Sequence, residues 1–261
     1  MKKKCVGVVK SVSELAMDVF EMWIETEIAK DAVPGQFIGV YPCKESTLLP
    51  RPISICEVSG DKTALRIVYR VAGKGTDEFS HYKPGRRVCV LGVLGNGYPL
   101  SPALGKKILL LGGGIGIPPL VELAKQIREQ EAGADITVSV GYRDNDLFLV
   151  EDLQQYAKVL IATEDGSADT KGNVMNAVAE HNVTPDIIYS CGPMPMLRAI
   201  KAYAEEKRIP AYISLEERMA CGVGACLGCV CITSKKDAHS HVNNARICTD
   251  GPVFEAGEVM I

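Results

Sequence analysis

The chain has 261 residues, 47% hydrophobic and 23% charged, with a formal net charge of −3. That suits two mid-sized folded domains, or one plus an appendage, and excludes disorder as the default. No basic block follows Met1-Lys2-Lys3-Lys4, so a nucleic-acid partner is not expected.

In chain order, Cys5–Val12, Phe37–Tyr41, Ile53–Val58, Ala64–Val71 and Arg87–Val93 are predicted strands, punctuated by Pro34-Gly35, Gly60-Asp61 and Pro84-Gly85. Many short strands at this spacing predict a small antiparallel barrel or sandwich over residues 1–98. Within it, Arg51-Pro52-Ile53-Ser54-Ile55 opens a strand, and Gly73-Lys74-Gly75-Thr76 precedes a helix. Arg51 can clamp a phosphate bidentately, and Gly75 and Thr76 can offer N–H groups to a pyrophosphate. A solvated arginine beside an ordinary hairpin fits the same residues.

The pattern changes over residues 99–215. Lys107–Leu111 is a continuous apolar run, suited to a strand buried on both faces. Strands at Ile136–Tyr142, Val159–Thr163, Ile187–Ser190 and Ala211–Leu215 alternate with helices at Leu120–Gln130, Asn173–Glu180 and Met194–Glu206. This predicts a parallel sheet with helices on both faces. The longest apolar stretch, Ile108 to Leu123, is broken by four glycines, two prolines and Glu122, so it reads as strand–turn–helix and not as a membrane span. The run after Lys4 is too short for a signal-peptide core, which makes the cytoplasm the expected location.

Two turns in this region fit a nucleotide. Gly112-Gly113-Gly114-Ile115-Gly116 follows the first strand, and Cys191-Gly192-Pro193-Met194 follows a later one. In a parallel sheet both fall at the C-terminal strand ends, where ligands bind. The G-x-G-x-x-G spacing is not met, and each turn alone could be a tight connection. The pair makes a dinucleotide site the better reading. Asp144 and Asp146 after the second strand would repel a 2′-phosphate and Arg143 would attract one; the balance favours NAD.

The tail, residues 216–261, carries Cys221, Cys226 and Cys229, then Cys248 eighteen residues on. This C-x4-C-x2-C…C run is the spacing of a 2Fe–2S site, in which each iron takes two thiolates. Gly222, Gly224 and Gly228 are expected to turn the backbone at positive φ and present N–H groups to sulfur. A set of packed thiols, or a zinc site using His239 and His241, is the competing reading. Cys231, after Val230 in a predicted strand, reads as a packed thiol. His81, His181, His239 and His241 form no recognisable catalytic triad, and no residue is singled out as catalytic.

Arg51–Ser54 as R-x-x-S, Gly112–Pro118, and Cys191–Met196 as C-G-P-x-x-M together resemble the ferredoxin–NADP reductase superfamily. Within it the similarity is greatest to the electron-transfer subunits of B-type dihydroorotate dehydrogenases. It runs over essentially the whole chain and is most specific at 51–55, 217–229 and 248–254.

The resemblance implies an FAD-binding β-barrel (1–98), an NAD-binding α/β domain (99–215) and a 2Fe–2S module (216–261). It implies that Arg51 holds the FAD phosphate and that Ser54 lies near the flavin ring, with Pro52 and Ile53 also in the cofactor site. Val68, Tyr69 and Arg70 would line FAD, and Gly75 and Thr76 would hold its pyrophosphate. Gly112, Gly113, Gly114, Gly116, Cys191, Gly192 and Pro193 would hold NAD, and the four tail cysteines the cluster. Ile53 stands where the superfamily often has a flavin-stacking tyrosine, so stacking must come from elsewhere.

The implied partner is an FMN-containing dihydroorotate dehydrogenase catalytic subunit, two of each chain forming a heterotetramer. Electrons would run from it through the cluster and FAD to NAD⁺ in pyrimidine (UMP) biosynthesis. Rival readings are a ferredoxin-, hydrogenase- or sulfide-linked reductase subunit and, from another class, an iron–sulfur redox sensor.

Overall fold

Short runs of β-branched residues that alternate between core and surface close on themselves in the first part of the chain. The computed structural model describes residues 3–43, 47–236 and 241–261. Strands β1 (Lys3–Ala16), β2 (Val19–Glu25), β3 (Phe37–Tyr41), β4 (Arg51–Val58), β5 (Ala64–Arg70) and β6 (Arg87–Leu94) form a closed barrel, ordered β1-β2-β5-β4-β3-β6. Every pairing is antiparallel, and β6 returns to β1. Helix α1 (Lys74–Ser80) brings Phe79 into the barrel core with Ile38, Ile53 and Ile67.

Strand β2 was not among the predicted elements, and β1 runs on to Ala16. The turn joining them, Met17-Asp18, has neither glycine nor proline to mark it. Asp18 supplies the left-handed conformation itself, with φ 59°, a role Asp tolerates better than most residues.

The second part alternates strand and helix: β7 (Lys107–Gly113), α2 (Pro119–Gln130), β8 (Asp135–Tyr142), α3 (Val150–Gln154), β9 (Lys158–Thr163), β10 (Thr170–Lys171), α4 (Val174–Glu180), β11 (Ile187–Cys191), α5 (Met194–Lys207) and β12 (Ala211–Ser214). These six strands are parallel. In β7, Ile108 and Leu110 face one core, and Leu109 and Leu111 the other. That two-sided burial is why the run is continuously apolar.

The tail contributes a hairpin, β13 (Val230–Ile232) with β14 (Asn244–Arg246), and then β15 (Val253–Glu255), which pairs antiparallel with β12. The tail therefore extends the second sheet, to the order β10-β9-β8-β7-β11-β12-β15. No helix among the described residues is long and apolar enough to cross a membrane.

Barrel and sheet are joined by buried polar contacts. Glu122 on α2 is 2% exposed and accepts a hydrogen bond from Val58 N at 2.9 Å, while Lys125 Nζ donates to Val58 O at 2.7 Å. Burial pushes the Glu122 carboxyl above its ordinary range, against the pull of Val58 N–H, Gln126 and Lys125. Beside them Arg66 is buried and pairs with Glu21 at 2.7 Å, with Glu57 at 3.4 Å, and with Asp152 from the sheet half. Taking away one partner of a buried ionic group strands the others. Arg66→Ala is therefore expected to cost about 3 kcal/mol, read as a lower urea midpoint; an unchanged midpoint would show that the network is idle.

Candidate functional site

The cysteine loop is shaped by three left-handed residues, Gly222 (φ 68°), Gly224 (φ 84°) and Leu227 (φ 56°). The expectation for Gly228 is thus corrected: the positive φ falls one residue earlier. At Gly228 an added Cβ would make only an ordinary contact, 3.5 Å from Cys226 Sγ.

Within the loop, Val223 N and Cys226 N each donate to Cys221 Sγ at 3.4 Å. Burial alone would raise the Cys221 thiol, but these N–H donors outweigh it and bring it down to about 6. Cys229 and Cys248 are buried at 2% and 1% exposure, and their thiols lie close enough to perturb each other. Burial first, and then Cys229, pushes Cys248 up to about 11.

The thiols thus fall into two pairs, 221 with 226 and 229 with 248. Among the described residues, no three of His, Cys, Asp or Glu converge on one ion. Pairwise thiols suit a binuclear cluster better than a single zinc. His239 lies outside the described residues. Cys231 sits in β13 opposite Ala245, and burial raises its thiol, as for a packed cysteine.

The two nucleotide-type turns meet at one place. The strand order reverses between β7 and β11, which makes their C-terminal ends the switch point of the sheet. A Cβ added at Gly116 would stand 2.5 Å from Cys191 O; one at Gly113 would stand 2.8 Å from Met196 Sδ and 3.0 Å from Pro193 Cδ. The turns are packed backbone to backbone, with Gly114 at φ 52°. Gly112 and Gly192 are equally closed in, by Leu120 and Met196. Cys191 is 1% exposed and burial pushes its thiol up, so it is a neutral core group. Just before it, Ser190 Oγ is buried without a partner. At the end of β8, Asp144 Oδ1 accepts from Asp146 N, and Asp146 Oδ2 accepts from Met17 N at 2.8 Å. Asp146 is thereby tied to the barrel.

On the barrel, Arg51 lies against Gly75: an added Cβ there would be 2.5 Å from Arg51 Nε. Two segments more than twenty residues apart in sequence thus form one cradle, in which the Arg51 guanidinium occupies the space a side chain at 75 would take. Arg51 Nη1 donates to Leu49 O at 2.7 Å. Thr76 Oγ1 closes the adjoining turn, accepting from Ala72 N and donating to Gly73 O. Ser54 pairs across the sheet with Phe37, and Pro52 with Gly39.

Ile53 and Tyr69 turn into the barrel core, so only their backbone faces outward. Tyr69 packs on Phe20 and Phe79, and its hydroxyl is buried without a partner. Val68 belongs to the core shared with α2 and β7, while Arg70 is exposed. Strand β5 also packs on the Gly114–Gly116 turn.

The barrel touches both other regions. Val68 on β5 stands beside the turn after β7, and Gly222 of the cysteine loop rests on Leu94 and Leu91 at the end of β6. Leu91, Leu94 and the Gly95-Asn96-Gly97 segment escaped the sequence reading; the glycines crowded at this strand end were the available signal. A separate cavity of about 630 Å³, lined by Cys43, Glu78, Tyr82 and Arg86, contains none of the residues above.

Comparison with known proteins agrees with this geometry. Residues 216–260 match the iron–sulfur cluster binding domain of dihydroorotate dehydrogenase B, and residues 110–202 match an oxidoreductase NAD-binding domain. The dihydroorotate dehydrogenase B (NAD(+)) electron transfer subunit of Shouchella clausii is 43% identical over 253 residues, 95% of each chain. That of Geobacillus sp. is 38% identical over the full length of both. Among solved structures, an NADH-dependent reduced ferredoxin–NADP oxidoreductase superposes with TM-score 0.83 at 30% identity, over 98% of this chain and 90% of its own. The ferredoxin reductase of carbazole 1,9a-dioxygenase shares the fold at TM-score 0.69 and 20% identity, over 81% and 69% of the two chains. The chain belongs to the family of dihydroorotate dehydrogenase B (NAD(+)) electron transfer subunits.

Proposed function

We propose that this chain carries electrons from an FMN-containing subunit that oxidises dihydroorotate to orotate, and delivers them to NAD⁺ in pyrimidine biosynthesis in the cytoplasm. The observation that carries the reading is that the barrel bearing the Arg51–Gly75 cradle touches both other sites: β5 packs on the Gly114–Gly116 turn, and Leu94 of β6 lies beside Gly222 of the cysteine loop. When bound, a 2Fe–2S cluster handles single electrons and NAD⁺ a hydride, and FAD supplies exchange between the two.

The residues divide the work. Cys221, Cys226, Cys229 and Cys248 hold the cluster as two pairs, with N–H groups already directed at Cys221 Sγ. Arg51 and the Gly75-Thr76 turn hold the FAD phosphates. The fit to a flavin phosphate is supported by the Arg51 guanidinium lying against the Gly75 backbone at the start of α1. Pro52, Ser54 and Arg70, with the backbone of Ile53, Val68 and Tyr69, line its remainder. Gly112, Gly113, Gly114 and Gly116 with Cys191, Gly192 and Pro193 hold NAD. The parts are residues 1–98 for FAD, 99–215 for NAD and 216–261 for the cluster, the last two sharing a sheet. Val223 and Leu227 stand 40% and 62% exposed on the cysteine loop, which suits it to face the partner in a heterotetramer of two of each chain.

The test is NAD⁺ reduction driven by dihydroorotate, with this chain mixed with an FMN-containing dihydroorotate dehydrogenase subunit from the same source. Activity that needs both chains is expected. No activity from a chain confirmed to hold FAD and its cluster would overturn the assigned partner.

A further inference from the structure

Asn96 lies just past the end of β6 and has no role above. Its backbone N–H donates to Gly251 O at 2.6 Å, and its Nδ2 donates to Asp250 O at 3.1 Å and Val253 O at 2.8 Å. Its Oδ1 accepts from Val253 N at 3.0 Å. The side-chain amide is thus committed to the backbone of a segment that begins two residues after Cys248. Solvent reaches Asn96, so it is no part of the apolar core.

Both sides of this clamp are stiff. On the tail side, Thr249 N and Asp250 N donate to Arg246 O, and the Asp250 carboxylate accepts from Arg246 N and its guanidinium. On the barrel side, Gln36 Nε2 donates to Gly95 O at 2.8 Å, and Gln36 O accepts from Ile55 N at 3.0 Å. Ile55 follows Ser54 on β4. Gly95, at φ 73°, lets the two sides close: an added Cβ would stand 2.5 Å from Pro252 Cδ and 2.7 Å from Gly251 O. A continuous line of short contacts therefore runs from β4 through Gln36, Gly95 and Asn96 to the segment carrying Cys248.

We propose that Asn96 is a positioning residue that holds the Cys248 segment against strand β4, and so sets the gap that electrons cross between cluster and flavin. The inference rests on the cluster and flavin sites proposed above. Electron transfer slows steeply as the gap widens, so a small displacement lowers the rate without changing either group's own chemistry. With both groups bound, oxidation of NADH to NAD⁺ and a proton would supply two electrons, of which the cluster would take one and FAD the other.

The test uses the full chain with Asn96→Ala, and Asn96→Ser as a milder second variant. First, exchange of the Val253 amide proton is followed, a readout that needs no cofactor. It is expected to quicken at least tenfold in Asn96→Ala and less in Asn96→Ser, with the amides of β7 and β11 unchanged. Second, iron and FAD content and NADH oxidation by an artificial hydride acceptor are expected to match the parent. Third, stopped-flow reduction of the cluster by NADH is expected to slow at least tenfold. Parent-like Val253 exchange, or a parent-like rate of cluster reduction, overturns the inference. Loss of iron in both variants also overturns it, because Asn96 would then build the cluster site instead of spacing it. A parent protein that shows no 2Fe–2S signal with its cysteines intact refutes the cluster reading itself, a result independent of the exchange experiment.

Discussion

Serine in place of Cys226 is expected to abolish dihydroorotate-driven NAD⁺ reduction while leaving NADH oxidation by an artificial hydride acceptor in place. The reason lies in how the loop is built. Cys226 is paired with Cys221, and its own N–H is one of the donors that bring the Cys221 thiol down to about 6. The substitution keeps the backbone donor, but a serine hydroxyl does not ionise near neutral pH, so one iron of the proposed cluster would lose an anionic ligand. The turns at Gly116 and Gly192 belong to a different part of the chain, and the atoms nearest an added Cβ there belong to Cys191, Gly192, Gly113 and Met196. The checks are iron content, the visible absorption of the cluster, and the two activities side by side. A coupled rate equal to the parent's would remove the cluster from the route.

A single methyl at Gly116 is expected to raise the KM for NADH at least tenfold and to destabilise the fold by about 1–3 kcal/mol. Its carbon would stand 2.5 Å from Cys191 O and 2.6 Å from Gly192 Cα. Both are backbone atoms, so no rotamer can relieve the clash and the two turns must part. A loss of about 1.4 kcal/mol in binding already corresponds to the tenfold change. Gly133→Ala is the control, since an added Cβ there meets nothing within 4 Å; its KM and urea midpoint should stay put. If Gly116→Ala binds NADH as the parent does, the switch point is not where the nucleotide sits.

What could be read from the sequence was chemistry set by short spacing. The period-2 strands of the barrel, the two-sided apolar run of β7 and the C-x4-C-x2-C loop each carry their meaning within a dozen residues. The hidden parts depend on residues far apart. Strand β2 was obscured because Asp18 does a glycine's work in its turn. Strand β15 is three residues long and becomes a strand only beside β12. Arg66 and Glu122 look like ordinary charges until the fold brings Asp152 to one and Val58 N to the other. Ile53 and Tyr69 stood in motifs read as flavin-facing, but strand alternation turns their side chains inward. A motif marks a place on the backbone; burial decides which side chain is offered there.

Strand β15 also bears on how the molecule avoids sticking to itself. An exposed strand edge is a template on which another chain can pair. The barrel is closed, and so has no such edge. In the open sheet, β15 covers β12 on one side. On the other, β10 covers the C-terminal end of β9, and Lys158 charges its opposite end. The short hydrogen-bonding rows left over are a poor template for runaway fibril growth. Association with another subunit must then be written in side chains and loops, which a few substitutions can tune, and not in backbone pairing, which any strand can imitate.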